Sequence, residues 1–323
     1  MICSKKSPVV GSAARSSSSR RSSGSSTAGA AASPPAQRRS GHKRPSSESK
    51  GVLVRHMRRS PDDGYRHDLV PGLRSSVDAA RLADELAFSA ARLRRLRQDP
   101  PGLYGEAAAA EDREEAAWLL FQIVFFSPLE GEDPWASIRE ARTSWASGEL
   151  PRLEGAQFGP RTAHDPRHGD AAPAAYRAWA ERNGGQVAAL AGEQSWTPQH
   201  RFERVFERLG FPGFGRPHRI ELLATAGALG LVEVDVWSLQ LRSAAATDPV
   251  AVTAKRLMGV SDQALVRRRL RELASATGVP VAAFDLAFYN WASPDPEARV
   301  TAGVSVDPDP DERELIADAL GVA

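Results

Sequence analysis

Residues 211–223 read Phe-Pro-Gly-Phe-Gly-Arg-Pro-His-Arg-Ile-Glu-Leu-Leu, and after eleven more residues comes Asp235. Gly213 and Gly215 let the backbone turn tightly and approach another molecule closely. Pro217 suits the first turn of the helix that follows. The free N–H groups of such a turn and helix start form an anion site, most simply for a phosphate. Asp235 stands in an apolar run of Leu231, Val232, Val234, Val236 and Trp237. The stretch therefore predicts a phosphate-gripping turn and, one helix later, an acid in poorly hydrated surroundings.

Outward from this stretch the chain is not uniform. Residues 1–60 hold 13 Lys and Arg against one acid, Glu48, and carry +12, whereas the other 263 residues carry −10; the whole-chain value of +2 hides the split. The leading segment is rich in Ser, Ala, Arg and Pro and cannot bury enough apolar surface to offset chain entropy. Residues 1–66 are expected to form a disordered tail. Three roles stay open for it: an inert extension ahead of an internal start at Met57, a transit peptide, or a basic arm that neutralises nucleic-acid phosphates. The expected location is cytoplasmic, or organellar if the tail is a transit peptide. Cys3 is the only cysteine, which excludes a disulfide, Cys-ligated zinc and an iron–sulfur cluster. The longest apolar run, Ala116 to Ser127, is too short to span a membrane.

Helical periodicity dominates the rest. Val77 to Arg97 is amphipathic, Pro100-Pro101-Gly102 breaks it, and Glu111 to Phe126 is apolar nearly all round after its first turn, as a buried central helix would be. Further helices are expected at 133–146, 173–183, 198–209, 216–229, 234–245, 249–258, 261–277, 280–291 and 310–320, with a long surface loop over 147–172. Only 231–236 looks strand-like. The expected fold is an all-α domain over 67–306, an acidic C-terminal helix within 307–323, and a monomer.

The turn Phe211–Arg216 resembles the apolar-Pro-Gly-apolar-Gly-basic hairpin of the helix-hairpin-helix DNA glycosylases. In that family a Val-Asp pair at a set distance carries the catalytic aspartate, and Val234-Asp235 falls at that distance. Phe125-Phe126-Ser127 resembles the end of the family's first core helix, and Val281 to Trp291 its closing helix, so the likeness covers roughly residues 111–292. Three departures stand out. Pro217 replaces the lysine that bifunctional members use for lyase chemistry, the four cluster cysteines are missing, and Ser127-Pro128-Leu129 replaces a Ser-x-Gln motif. The spacing and the 147–172 loop also resemble a divergent branch thought to act on hypermodified thymine in phage DNA. The resemblance implies a monofunctional base N-glycosylase acting on DNA, with a monovalent cation held by the hairpin carbonyls.

Cleaving a base from its sugar develops positive charge on the sugar. A nearby carboxylate stabilises that charge and can activate water. Asp235 is the candidate for both roles; the competing reading is that it caps a helix starting near Val236. Gly213, Phe214, Gly215, Arg216 and Arg219 are the expected phosphate grip. Arg267, Arg268 and Arg271 form a basic cluster suited to a phosphate backbone or simply to solvent. Lys255 is the only lysine after Lys50, a candidate amine nucleophile or an ordinary surface residue. Asp285 lies in an apolar helix, either meeting an arginine or serving as a second catalytic carboxylate. His164 and His168 flank Pro166, which argues against a zinc pair, so no metal site is expected. Trp118, Phe121, Phe125 and Phe126 read as core. An enzyme is the leading expectation. A non-catalytic nucleic-acid-binding module and a helical protein-interaction domain are the alternatives.

Overall fold

A computed structural model describes residues 60–161, 169–295 and 298–323. They belong to one compact unit. Among the described residues all regular structure is helical: α1 (Ser76–Gln98), α2 (Gly102–Ala109), α3 (Arg113–Phe126), α4 (Ala136–Ala141), α5 (Ala171–Arg182), α6 (Gln186–Ala191), α7 (Pro198–Arg208), α8 (Arg216–Ala228), α9 (Pro249–Met258), α10 (Gln263–Thr277), α11 (Val281–Trp291) and α12 (Pro310–Ala319). None of them is long and apolar enough to cross a membrane.

The α3 helix is the centre. Asp112 starts it by accepting from the backbone N–H groups of Glu114 (2.8 Å) and Glu115 (3.4 Å), which satisfies donors that a helix start leaves free. From Ala116 to Phe126 every residue but Leu119 is buried, as its nearly all-apolar sequence predicts. Trp118 stacks on Phe121 at 5.3 Å, and Phe121 on Tyr176 of α5 at 4.0 Å. Phe214, from the turn between α7 and α8, inserts against Phe121 at 5.3 Å. The hairpin is thus nailed to the core through its apolar residue, so its position relative to α3 is fixed.

Aspartates also start three later helices. Asp248, Asp262 and Asp309 each cap the helix that follows, and Pro249 and Pro310 take the first helical positions after Asp248 and Asp309. The C-terminal helix α12 lies on α1, with Ile316 fully buried, Arg313 bonded to Asp84 at 2.6 Å and Arg94 paired with Glu312. The Tyr65 hydroxyl donates to the Leu320 carbonyl at 2.5 Å, and burial pushes this phenol up to about 12.

Several expectations need correction. Residues 60–66, expected in the tail, are built into the fold: Asp63 accepts from the Ser76 backbone N–H (2.8 Å) and hydroxyl (2.6 Å). The rest of the tail, through residue 59, lies outside the described residues. The helix expected at 133–146 is short, because Asp133 instead folds back to accept from the Trp135 N–H at 3.1 Å. The helix expected at 234–245 does not form; the segment is irregular, with one 3-10 turn at Leu241–Ser243. Conversely α2 forms where breakers argued against it. Its Leu103, Tyr104 and Ala107 are buried, so tertiary packing overrides the weak helix propensity of its glycines.

Candidate nucleic-acid interface

The α7–α8 hairpin forms as its sequence predicts. Gly213 takes the left-handed conformation at φ 76°, which favours glycine. The exposed Gly215 precedes α8. The backbone N–H groups of Gly213 and Gly215 have no partner among the described residues. The turn therefore keeps the donors that a phosphate would use.

The side chains of the expected grip do something else. Phe214 is 1% exposed and packs inward. Arg216 is also 1% exposed. Its Nε and Nη2 donate to the two carboxylate oxygens of Asp248 at 2.7 and 3.2 Å. Its Nη1 donates to Asp285 at 2.5 Å and to the Leu239 carbonyl at 3.1 Å. The other oxygen of Asp285 pairs with Arg161, whose guanidinium lies 5.0 Å from the Tyr289 ring centroid. Burial pulls Arg161 down to about 10, against the pull of Glu221. Glu221 bonds Arg92 at 2.6 Å. Burial lowers Arg92, but Glu221 and Tyr104 more than offset that, and the net direction is up. Three arginines and three carboxylates thus balance one another inside the fold. A charge removed from water needs such partners. Arg216 is an internal strut and is unavailable to phosphate, which corrects the expectation. Asp285 meets arginines, one of the two readings for it, and is no second catalytic acid. Arg219 is half-buried against the Phe206 ring at 4.1 Å and donates to the Phe206 carbonyl; burial, then nearby Arg216, lowers its pKa.

Asp235 is exposed, so the expected poorly hydrated setting is absent. Its carboxylate accepts from Gln199 Nε2 at 2.6 Å, and its N–H donates to the Pro198 carbonyl. Both partners lie at the start of α7, whereas the glycine turn follows the end of α7. Eleven residues of helix put about 16 Å between the two ends. The turn and this acid do not share a cleft. The capping role fails too, because no helix begins at Val236. The carboxylate at the turn is Asp248, which sequence reading missed; its signal was an Asp-Pro helix start.

The α10 cluster divides. Arg268 pairs with Glu272 one turn on, and Arg269 donates to the Met258 carbonyl. Arg267 and Arg271 are exposed and, among the described residues, have no acid partner. Both guanidiniums lie over the Trp237 ring, at 5.4 and 6.0 Å from its centroid. Arg242, also without an acid partner among the described residues, lines a surface depression together with Trp237 and Arg267. Lys255 is exposed on α9 and lies outside the lining of that depression. The His164 and His168 pair lies outside the described residues, and among those described no three metal-ligating side chains gather.

No family model, curated protein or solved structure matches this chain.

The arrangement thus has two parts, joined by the strut. Arg216 holds the Leu239 carbonyl, so the irregular segment 237–242 is tied to the start of α8. That segment forms one wall of the Trp237 depression, and α10 forms the other. The chemistry on offer is recognition of an anion and of an aromatic face. Neither Asp235, far from the turn, nor Asp248, fully engaged by Arg216 and by the Val250 and Ala251 N–H groups, is placed as a free general base.

Proposed function

We propose that the chain is a nucleic-acid-binding helical domain that grips the phosphate backbone without cutting the base–sugar bond. The observation that carries this reading is the trio Arg242, Arg267 and Arg271. In a folded region carrying −10 overall, these arginines stand without acid partners among the described residues around one tryptophan. Unneutralised arginines beside an aromatic face are what backbone and base contacts require. DNA is the polymer that the hairpin resemblance suggests, with the open N–H groups of Gly213 and Gly215 as a second phosphate contact. Bond hydrolysis loses support from the exposure and remoteness of Asp235.

The test is an anisotropy titration of the whole protein with labelled single strands and duplexes between about 50 and 200 mM salt. It is paired with incubation on duplexes carrying uracil, alkylated, oxidised or mismatched bases, followed by alkali. Salt-dependent binding without strand breaks is expected. Breaks that vanish in Asp235→Asn would restore the hydrolase. Absence of salt-dependent binding would remove nucleic acid altogether.

A further inference from the structure

Independently of the nucleic-acid reading, we propose that Ser60 is a phosphorylation site and that a phosphate there releases the segment leading into α1. Ser60 lies half-buried in irregular chain. Its Oγ donates to Asp78 Oδ1 at 2.8 Å. Among the described residues no backbone–backbone hydrogen bond holds Ser60, Pro61 or Asp62, so a small opening presents the hydroxyl. Arg58 and Arg59 stand immediately before Ser60 and Pro61 immediately after it. The order basic-basic-Ser recurs at Lys5-Lys6-Ser7, at Arg20-Arg21-Ser22 and at Arg38-Arg39-Ser40, and Pro8 follows Ser7 as Pro61 follows Ser60. Paired cations suit a kinase groove lined with carboxylates, and a proline biases the residue before it toward extended backbone, the form in which such a groove takes a chain. The step moves the terminal phosphoryl group of a nucleoside triphosphate. A P–Oγ bond forms at Ser60 and the bond from that phosphorus to its bridging oxygen breaks. The nucleoside diphosphate leaves with the bonding pair, and the hydroxyl proton passes to the kinase's base.

Asp78 turns the modification into a switch. It is 9% exposed, its Oδ2 faces Arg256 at 3.5 Å, and its carbonyl accepts from Trp291 Nε1 at 2.9 Å. Contacts to α9 and α11 thus fix it, and it cannot move with Ser60. A phosphoserine has no hydrogen to give this carboxylate and carries about −1.5 to −2 charge at pH 7. Two anions at hydrogen-bond distance, one of them poorly hydrated, repel each other. Arg256 meets the other oxygen of Asp78 and lies over the Trp291 ring at 4.8 Å, so it is not placed to take up the phosphate. Gly64 supplies a pivot, with φ 91° and open space beside its Cα. Beyond the pivot Tyr65 stays bonded to Leu320. The piece that swings out is therefore 60–63, and with it goes Asp63, which accepts from the Ser76 N–H at the start of α1.

The experiment installs phosphoserine at position 60 of the full chain by genetic encoding. It reads amide hydrogen exchange at Asp63, which donates to the Arg74 carbonyl at 3.2 Å, and at Ser76. Exchange at both should rise at least about tenfold. Ser60→Ala loses the bond but adds no charge, and should raise exchange only about threefold. Asp78→Asn removes the repelling charge and offers a donor in its place, so phosphorylation should barely change exchange in that variant. Unchanged exchange on phosphorylation, or a release that persists in Asp78→Asn, overturns the switch. Slower exchange would mean that Arg256 captures the phosphate, and overturns it as well. The acceptor role is read by incubating the full chain, and a peptide of residues 55–66, with ATP and a proline-directed serine kinase, followed by mass spectrometry. Phosphate on Ser60 is expected in both. Modification of the peptide alone shows that the fold withholds the hydroxyl and overturns the site; an unmodified peptide shows that the sequence does not recruit such a kinase and overturns it too.

Discussion

Arg216 and Arg267 are the same residue type in two settings. Arg216, at the head of α8, is closed off from water and bonded to two aspartates and a carbonyl. Arg267, on α10, is exposed over a tryptophan with no acid in reach among the described residues. The first sits in the motif that looks made for phosphate, and the second in a run that looks like a solvated helix face. The structure closes off the first and leaves the second open to solvent. In a chain that uses arginine for almost every positive charge, residue type says little about a cation's work. What decides is whether a carboxylate already holds it.

That contrast can be broken most forcefully at the strut. Arg216→Ala leaves Asp248 and Asp285 buried without their shared partner, and should cost about 3–5 kcal/mol of folding stability. Urea unfolding measures it, and wild-type stability would refute the strut. Arg216→Lys should fail as well, because an ammonium cannot span two carboxylates in the guanidinium's fork. Next in size is binding. Arg267→Ala with Arg271→Ala should leave stability within about 0.5 kcal/mol while lowering the salt slope of nucleic-acid binding by about two; anisotropy at several salt concentrations reads it. A smaller effect of opposite sign is expected at the rim. Gln240→Gly relieves a left-handed backbone at φ 50° and should raise stability by about 0.5–1 kcal/mol once glycine's own entropy is counted, with a thermal melt as the readout.

The interior carboxylates add a pH test. Burial raises the Glu85 carboxyl, and the paired Arg299 only partly opposes this. A group whose folded-state pKa lies above its unfolded value stabilises below the unfolded value, and that stability is lost as pH rises through the folded one. Glu85→Gln should therefore flatten the decline of the urea midpoint as pH climbs above the ordinary glutamate value. The smallest effect belongs to Asp235→Asn, which should change stability by less than about 0.5 kcal/mol and leave binding untouched. Any large loss of binding there would bring Asp235 back into the site.

Much of the fold was legible because helix period and helix starts are local signals. The spans of α1, α3, α7, α8, α9 and α11 lie within two residues of the expected ones, and the aspartates before α3, α9, α10 and α12 act as their caps. The turn at Gly213 was equally legible, since only glycine suits its φ. What failed was anything that depends on where a side chain ends up in three dimensions. Asp235 looked dry because its sequence neighbours are apolar, yet alternate residues of an extended segment face opposite ways, and Val236 is buried while Asp235 is not. Arg216 looked free because both acids that hold it lie more than thirty residues away. Trp237 was read only as part of an apolar run, because its arginine neighbours come from another helix.

The bond from Tyr65 to Leu320 has a practical consequence. Two positions 255 residues apart in sequence touch, so a short peptide bridge could join the beginning and the end of the helical unit. The exposed Ser147–Gly148 bend then offers a place to reopen the chain. A circularly permuted version started there should recover the same fold, and it would put a fluorophore or an affinity handle at that bend.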